Sequence, residues 1–156
     1  MRHIFIINPA AGKSDSRQRV YRMAERLRES HGLDVECMLT KSSGHTTALV
    51  RGIAAAGSGV RFYACGGDGT VNAVANGAAG FENAAMTVVP IGTGNDFLKN
   101  FGEDAARFSD PGNLWNGRTQ KLDLIDCNGR LCLTIACSGI DARIGRDVHR
   151  LYSYSL

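Results

Sequence analysis

Val60-Arg61-Phe62-Tyr63-Ala64-Cys65 followed by Gly66-Gly67-Asp68-Gly69-Thr70-Val71-Asn72 is the stretch that decides the fold. A short, mostly apolar run enters a glycine-rich turn, and behind the turn Val71, Val74, Ala75 and Ala78 recur at helical spacing. Such a run suits a strand buried on both faces, as in a parallel sheet. The strand, turn and helix together are one half of a βαβ unit, so the question is whether the rest of the chain repeats it.

It does on both sides. His3 to Asn8 (HIFIIN) is another apolar run, closed by Pro9 and Gly12. From Asp15 or Ser16, residues Val20, Met23, Ala24 and Leu27 mark one face of a helix that Gly32 ends. Val35 to Leu39 reads as a strand. Leu49, Gly52, Ile53 and Ala56 read as a helix closed by Gly57 and Gly59, and Met86 to Val89 as a strand before Pro90. Strand and helix in alternation with short links predict an α/β fold: a doubly wound, mainly parallel sheet with helices on both faces. After about residue 117 the rhythm changes. Thr119 to Asp126 and Arg130 to Cys137 are β-prone runs around Cys127-Asn128-Gly129, and Asn-Gly is a strong hairpin signal. The expected organisation is an α/β domain over 1–117 and the start of an antiparallel, β-rich second domain over 118–156. Leu151 to Leu156 carry no stop signal, which suggests a chain that continues.

Composition narrows the class. In 156 residues, hydrophobic residues at 44% and charged residues at 21% exclude a disordered or collagen-like chain. No apolar run approaches a membrane span, and Met1 to Ala11 is too short for a signal peptide, so the chain reads as cytoplasmic. A net charge of +3 is too weak to name nucleic acid as a partner. The five cysteines show no CxxC spacing and read as buried free thiols. The 19 glycines are the outlier, at about 12% of the chain against a usual ~7%.

In an open α/β sheet, ligands gather at the carboxyl ends of the strands, and three loops there are unusual. Asn8-Pro9-Ala10-Ala11-Gly12-Lys13-Ser14 ends like a P-loop, but Ile7 stands where that motif needs its first glycine, so the P-loop reading fails. Gly66-Gly67-Asp68-Gly69-Thr70 follows a strand and opens a helix, so its N–H groups and the helix dipole converge on a spot suited to phosphate. Asp68 fits such a site if a cation lies between it and the ligand, or if it caps the helix. Pro90-Ile91-Gly92-Thr93-Gly94-Asn95-Asp96-Phe97 again follows a strand and precedes a helix. The two loops can meet across one cleft, with Asp68 and Asp96 near the same ligand. That pairing suits phosphoryl transfer, where positioning and charge neutralisation dominate.

Asn8-Pro9 with Gly12, Gly66 to Thr70 (GGDGT) and Gly92 to Phe97 (GTGNDF), in this order and spacing, resemble the diacylglycerol kinase catalytic-domain family, which includes bacterial diacylglycerol kinases and sphingosine kinases. GGDGT alone is shared with NAD kinases, whereas GTGNDF belongs to the lipid kinases. The resemblance covers essentially the whole chain and extends to Thr40; Thr134 departs from it, standing where the family often has Asn. It implies ATP and Mg²⁺ as cofactors and transfer of the γ-phosphoryl group to a hydroxyl of diacylglycerol or a related lipid. By the same resemblance the nucleotide would contact Asn8, Pro9, Gly12, Thr40, Gly66, Gly67, Asp68, Gly69, Thr70, Asn72 and Thr93. Asp96 and Asp68 would be the catalytic candidates. The general base and the main Mg²⁺ ligands would lie beyond Leu156, so these 156 residues alone would bind without turning over. The lipid would be met at a membrane surface by peripheral association, with a homodimer left open. The alternatives are an NAD kinase-like enzyme and an inactive nucleotide-binding regulatory module. His45 reads as a cap or surface residue rather than a catalyst.

Overall fold

The computed structural model describes residues 1–12, 15–92, 94–144 and 147. Seven elements alternate: β1 (Arg2–Ile7), α1 (Ser16–His31), β2 (Val35–Leu39), α2 (Ser43–Ala55), β3 (Val60–Gly66), α3 (Asp68–Ala78) and β4 (Ala84–Pro90). The strands form one parallel sheet in the order β2-β1-β3-β4. Because successive residues of a strand face opposite ways, Phe5, Ile7, Tyr63, Cys65 and Val89 meet Val20, Met23 and Leu27 of α1 on one side. Ile4, Ile6, Phe62, Ala64 and Val88 meet α2 and α3 on the other. The doubly wound α/β fold expected from the sequence is the fold present.

Local reasons account for most boundaries. Gly32 ends α1 in the left-handed conformation (φ 61°), its N–H donating to Arg28 O at 3.0 Å. Ser42 caps α2 by accepting from the His45 N–H at 3.2 Å, and His45 Nδ1 accepts from the Lys41 N–H at 3.3 Å. His45 is thus part of a helix cap. The α2 face differs from expectation: Thr46, Val50 and Ala54 are buried, whereas Gly52 and Ala56 are exposed. The neighbour decides this. A Cβ at Gly77 of α3 would come within 2.6 Å of Val50 Cβ, so the missing side chain lets α2 settle on Val50.

Two further expectations need correction. The segment after the third loop is not an α-helix but a 3₁₀ stretch, Asp96–Ser109, broken at Gly102 (φ 53°, ψ −126°). Asn95 enters it in the left-handed conformation (φ 55°), so this loop lacks an aligned α-helical dipole behind it. The hairpin is present but short: β5 (Ile125–Cys127) pairs antiparallel with β6 (Arg130–Cys132). Thr119 to Leu124 and Leu133 to Cys137 are not strands. A two-stranded ribbon is only marginally stable, and this one is supported where Leu131 and Leu133 meet α3. The thiols also differ from expectation: Cys65 is buried, while Cys127 and Cys137 are exposed.

At the amino-terminal end of the sheet, His3 is 3% exposed and its Nδ1 lies 2.9 Å from Tyr63 Oη. Burial, then the nearby Arg61 charge, holds the His3 pKa below its ordinary 6.5, and burial pushes Tyr63 up to about 12. The unfolded chain therefore binds a proton at His3 more readily than the folded one, so stability rises with pH through this range. We expect urea midpoints to fall as the pH drops below about 6.5, with a shallower fall in His3→Gln. Equal slopes would remove His3 from the account.

Candidate nucleotide site

The strand order 2-1-3-4 puts a topological switch point between β1 and β3, where ligands of such sheets bind. The first two loops meet there. Asn8, directly after β1, donates from Nδ2 to Thr70 Oγ1 at 3.1 Å, while its Oδ1 accepts from the Ala10 N–H at 3.0 Å. Thr70 is buried against Gly66, where any Cβ would collide with the threonine hydroxyl. Thr40, after β2, is 5% exposed and turns its hydroxyl onto Ile7 O at 3.3 Å.

The third loop closes on the second through its backbone. Gly92 and Ile91 both direct their N–H groups at Gly66 O, at 3.3 and 3.4 Å. A Cβ at Gly92 would lie 2.5 Å from Gly67 Cα, inside any real contact distance. One at Gly67 would sit 3.6 Å from Gly92 Cα, an ordinary contact. Gly12, with φ 74°, abuts Ile91 O in the same way. Glycine is needed most at Gly92 and Gly12, where main chain lies on main chain.

Asp68 ties these loops together. Gly67, not Asp68, is the N-cap of α3, and its side-chain-free position offers no cap hydrogen bond. Asp68 begins the first turn, and its Oδ1 accepts from the Phe97 N–H at 3.4 Å. The carboxylate therefore spans from the GGDGT turn to the far side of the third loop. Asp96 is exposed, does not line the groove that Asp68 lines, and pairs with Lys99 Nζ at 2.5 Å. The Asp96 hydrogen bond, then its charge, raises the Lys99 pKa, and Asp68 adds to this from further off. Lys99 thus stands within the field of both carboxylates.

These loops floor an open groove of ≈ 1130 Å³ whose walls include Asn8, Thr40, Lys41, Asp68, Thr70 and Gly92. Two helix amino-termini, α2 behind Ser42 and α3 behind Gly67, border it, and the first N–H groups of a helix have no intrahelical acceptor. Gly12 and Gly69 also line it, Pro9 is exposed beside it, and Thr93 lies outside the described residues, as do Lys13 and Ser14. Asn72 does not point there. Its Oδ1 accepts from the Leu133 N–H at 3.0 Å.

The sequence reading missed one residue of this region. Asn76 accepts from the Leu131 N–H at 3.0 Å and donates to Leu131 O at 2.7 Å, so its amide pairs with a backbone as a neighbouring strand would. Asn72 and Asn76, one turn apart, hold Leu131 and Leu133, two apart on β6 and its extension. The available signal was a pair of amides at i, i+4 inside a helix, where Asn is a poor helix former.

A family model for the diacylglycerol kinase catalytic domain matches residues 2–127. The chain belongs to the diacylglycerol kinase catalytic domain family. It is 29% identical over 147 residues to Diacylglycerol kinase of Bacillus subtilis (strain 168), covering 92% of this chain and 47% of that protein. It is 31% identical over 137 residues to a protein named "Probable lipid kinase YegS-like" in Pseudomonas aeruginosa strain PAO1, covering 85% and 43%. The crystal structure of a diacylglycerol kinase from Bacillus anthracis str. Sterne superposes with a TM-score of 0.64 at 26% identity, over 83% of this chain and 45% of that one. The chain spans about half the length of the curated relatives it matches. Within the diacylglycerol kinase family it is a lipid-kinase-like protein, and no helix among its described residues is long and apolar enough to cross a membrane.

Two substitutions separate structure from ligand contact. Gly92→Ala forces main chain apart and should cost roughly 1–3 kcal/mol, the scale of overpacking, whereas Gly67→Ala should be nearly neutral for stability; urea unfolding of both checks the order. Asn76→Ala leaves a half-buried N–H and C=O at Leu131 without their partner and should cost about 1–3 kcal/mol. Its diagnostic is faster amide exchange at Leu131.

Proposed function

We propose that this chain is the nucleotide-binding part of an ATP-dependent lipid kinase, which transfers the γ-phosphoryl group to a hydroxyl of diacylglycerol or a related lipid. The observation that carries the reading is the convergence of the Gly66–Thr70 turn with Gly92 and Gly94 of the third loop on one groove, joined by Asp68. Two features support the reading: the bare Gly92 lets the two loops meet main chain on main chain, and two helix amino-termini border the groove. The nucleotide's phosphates would lie on Gly66 to Thr70 and the start of α3, with Asn8 and Thr40 at the side and Thr93 closing the site. Asn72 would act from behind, through the position of α3. Asp68, a carboxylate that lines the groove, would face the Mg²⁺ that accompanies ATP. Among the described residues no three His, Cys, Asp or Glu side chains gather to hold a metal ion.

Bound Mg²⁺ would offset the charge of the phosphates. Asp96, exposed beside Lys99, would approach the acceptor hydroxyl, and the general base would be supplied outside these residues. An apolar cavity of ≈ 540 Å³ along β4, lined by Phe97, Phe101, Phe108 and Leu133, begins next to the Asp68–Phe97 contact and suits an acyl chain. In this reading residues 1–117 form the nucleotide domain and 118–156 begin a second, β-rich domain, and the membrane is met peripherally.

Calorimetry on the 156-residue chain should register Mg·ADP binding that EDTA weakens and Gly67→Val abolishes with circular dichroism unchanged. No diacylglycerol should be phosphorylated by this chain from labelled ATP. In the intact enzyme, Asp68→Asn and Asp96→Asn should each lower turnover on the order of 10²-fold or more, the scale of positioned acid–base and electrostatic groups. ADP affinity unaltered in folded Gly67→Val would overturn the phosphate cradle, and near-normal turnover in both aspartate variants would overturn their assigned roles.

A further inference from the structure

The hairpin carries two thiols that phosphoryl transfer does not use. Cys127 closes β5 and Cys132 closes β6, with Cys127 paired to Arg130 and Ile125 to Cys132. Directly paired residues share a face of the ribbon, and so do residues two apart on one strand. Both thiols therefore stand on one face, on a diagonal. In a flat ribbon that diagonal spans about 7–8 Å, just beyond the reach of a disulfide, but two-stranded ribbons twist more strongly than sheets. Here the Cys132 thiol stands near enough to Cys127 to raise its pKa. Cys127 is exposed and Cys132 half-buried, both as free thiols. The turn between them is fixed: Asn128 and Gly129 both have positive φ (53° and 78°), as a tight hairpin turn requires. The Gly129 N–H donates to Asp126 Oδ1 at 2.7 Å.

Leu131 lies between the thiols in sequence, and Asn76 holds its N–H and C=O, while Asn72 holds the N–H of Leu133. Whatever fixes the ribbon also fixes the strand geometry that these amides grip. We propose that Cys127 and Cys132 form a reversible disulfide that clamps the hairpin onto α3, the helix whose amino-terminus carries the GGDGT turn. The oxidant is a low-molecular-weight disulfide. The Cys127 thiolate attacks it, forming a mixed disulfide and releasing one small thiol. The Cys132 thiolate then attacks the Cys127 sulfur, forming the internal bond and releasing the second small thiol. The protein loses two protons and two electrons, and the small disulfide leaves as two thiols. Desolvation, then the adjacent Cys132 thiol, raises the Cys127 pKa, so exchange is slow at neutral pH and quickens in mild alkali. A bond across the wide diagonal is strained and hence easily reduced, which suits a reversible link.

The test uses the 156-residue chain and needs no catalytic activity. Native protein is equilibrated with oxidised and reduced glutathione, its remaining thiols are alkylated, and peptides are mapped by mass spectrometry. The expected result is a loss of two hydrogen masses and a Cys127–Cys132 link that dithiothreitol reverses. Cys127→Ser and Cys132→Ser each abolish it, while Cys137→Ser retains it. Amide exchange at Leu131 and Leu133 should slow several-fold in the oxidised form. Glutathione adducts on both thiols without the internal bond would overturn the proposal, as would a link formed only in urea. Unchanged exchange at Leu131 and Leu133 in the linked protein would overturn the clamp.

Discussion

Main chain resting on main chain at Gly67 and Gly92 is the constraint from which the rest of the site follows. Two loops from adjacent parallel strands can share one ligand only if nothing stands between them, and a single methyl group at Gly92 would collide with Gly67. With the gap closed, Gly66 O takes two N–H groups from the third loop, so the junction is also satisfied in hydrogen bonding. The concave floor this creates lies at the β1/β3 switch point, where the Asn8–Thr70 hydrogen bond joins the first loop to the second.

Asp68 extends the same logic. As a plain cap its carboxylate would serve only α3. By accepting from the Phe97 N–H it spans the junction and fixes where the 3₁₀ segment begins. The carboxylate is therefore held beside a groove whose other walls include Lys41 and the hydroxyl-bearing Thr40, Ser42 and Thr70. Asp96, two residues past Gly94, is exposed and does not line that groove, and Lys99 balances its charge. The two aspartates thus occupy different surroundings: one braced within the loop junction, the other exposed.

The far end of α3 is fixed by a different device. Asn72 and Asn76 grip the hairpin by its backbone, so the helix that presents the phosphate turn at one end braces a small antiparallel ribbon along its flank. The grip is independent of side-chain identity in the ribbon because it uses only N–H and C=O groups. This places Cys127 and Cys132 on a ribbon coupled to α3 rather than on a detached loop.

The alternation of apolar runs and helical faces determined the fold by itself, because burial on both faces of a strand and on one face of a helix leaves period and composition in the sequence. The three loops were legible for the same kind of reason: glycine clusters at strand ends record backbone that side chains would obstruct. Tertiary structure alone decided which face α2 buries, since that depends on a gap at Gly77 in another helix. It alone decided that Gly92 rather than Gly67 is the tighter junction, because close approach is a distance between chain segments 25 residues apart in number. The reach of the hairpin was also beyond the sequence: β-prone residues run past Cys132, but pairing with β5 ends there even though Asn72 of α3 still holds the Leu133 N–H. Asn76 shows the limit most plainly. An amide within a helix is a weak local defect in sequence, and only its contact with Leu131 turns it into a brace.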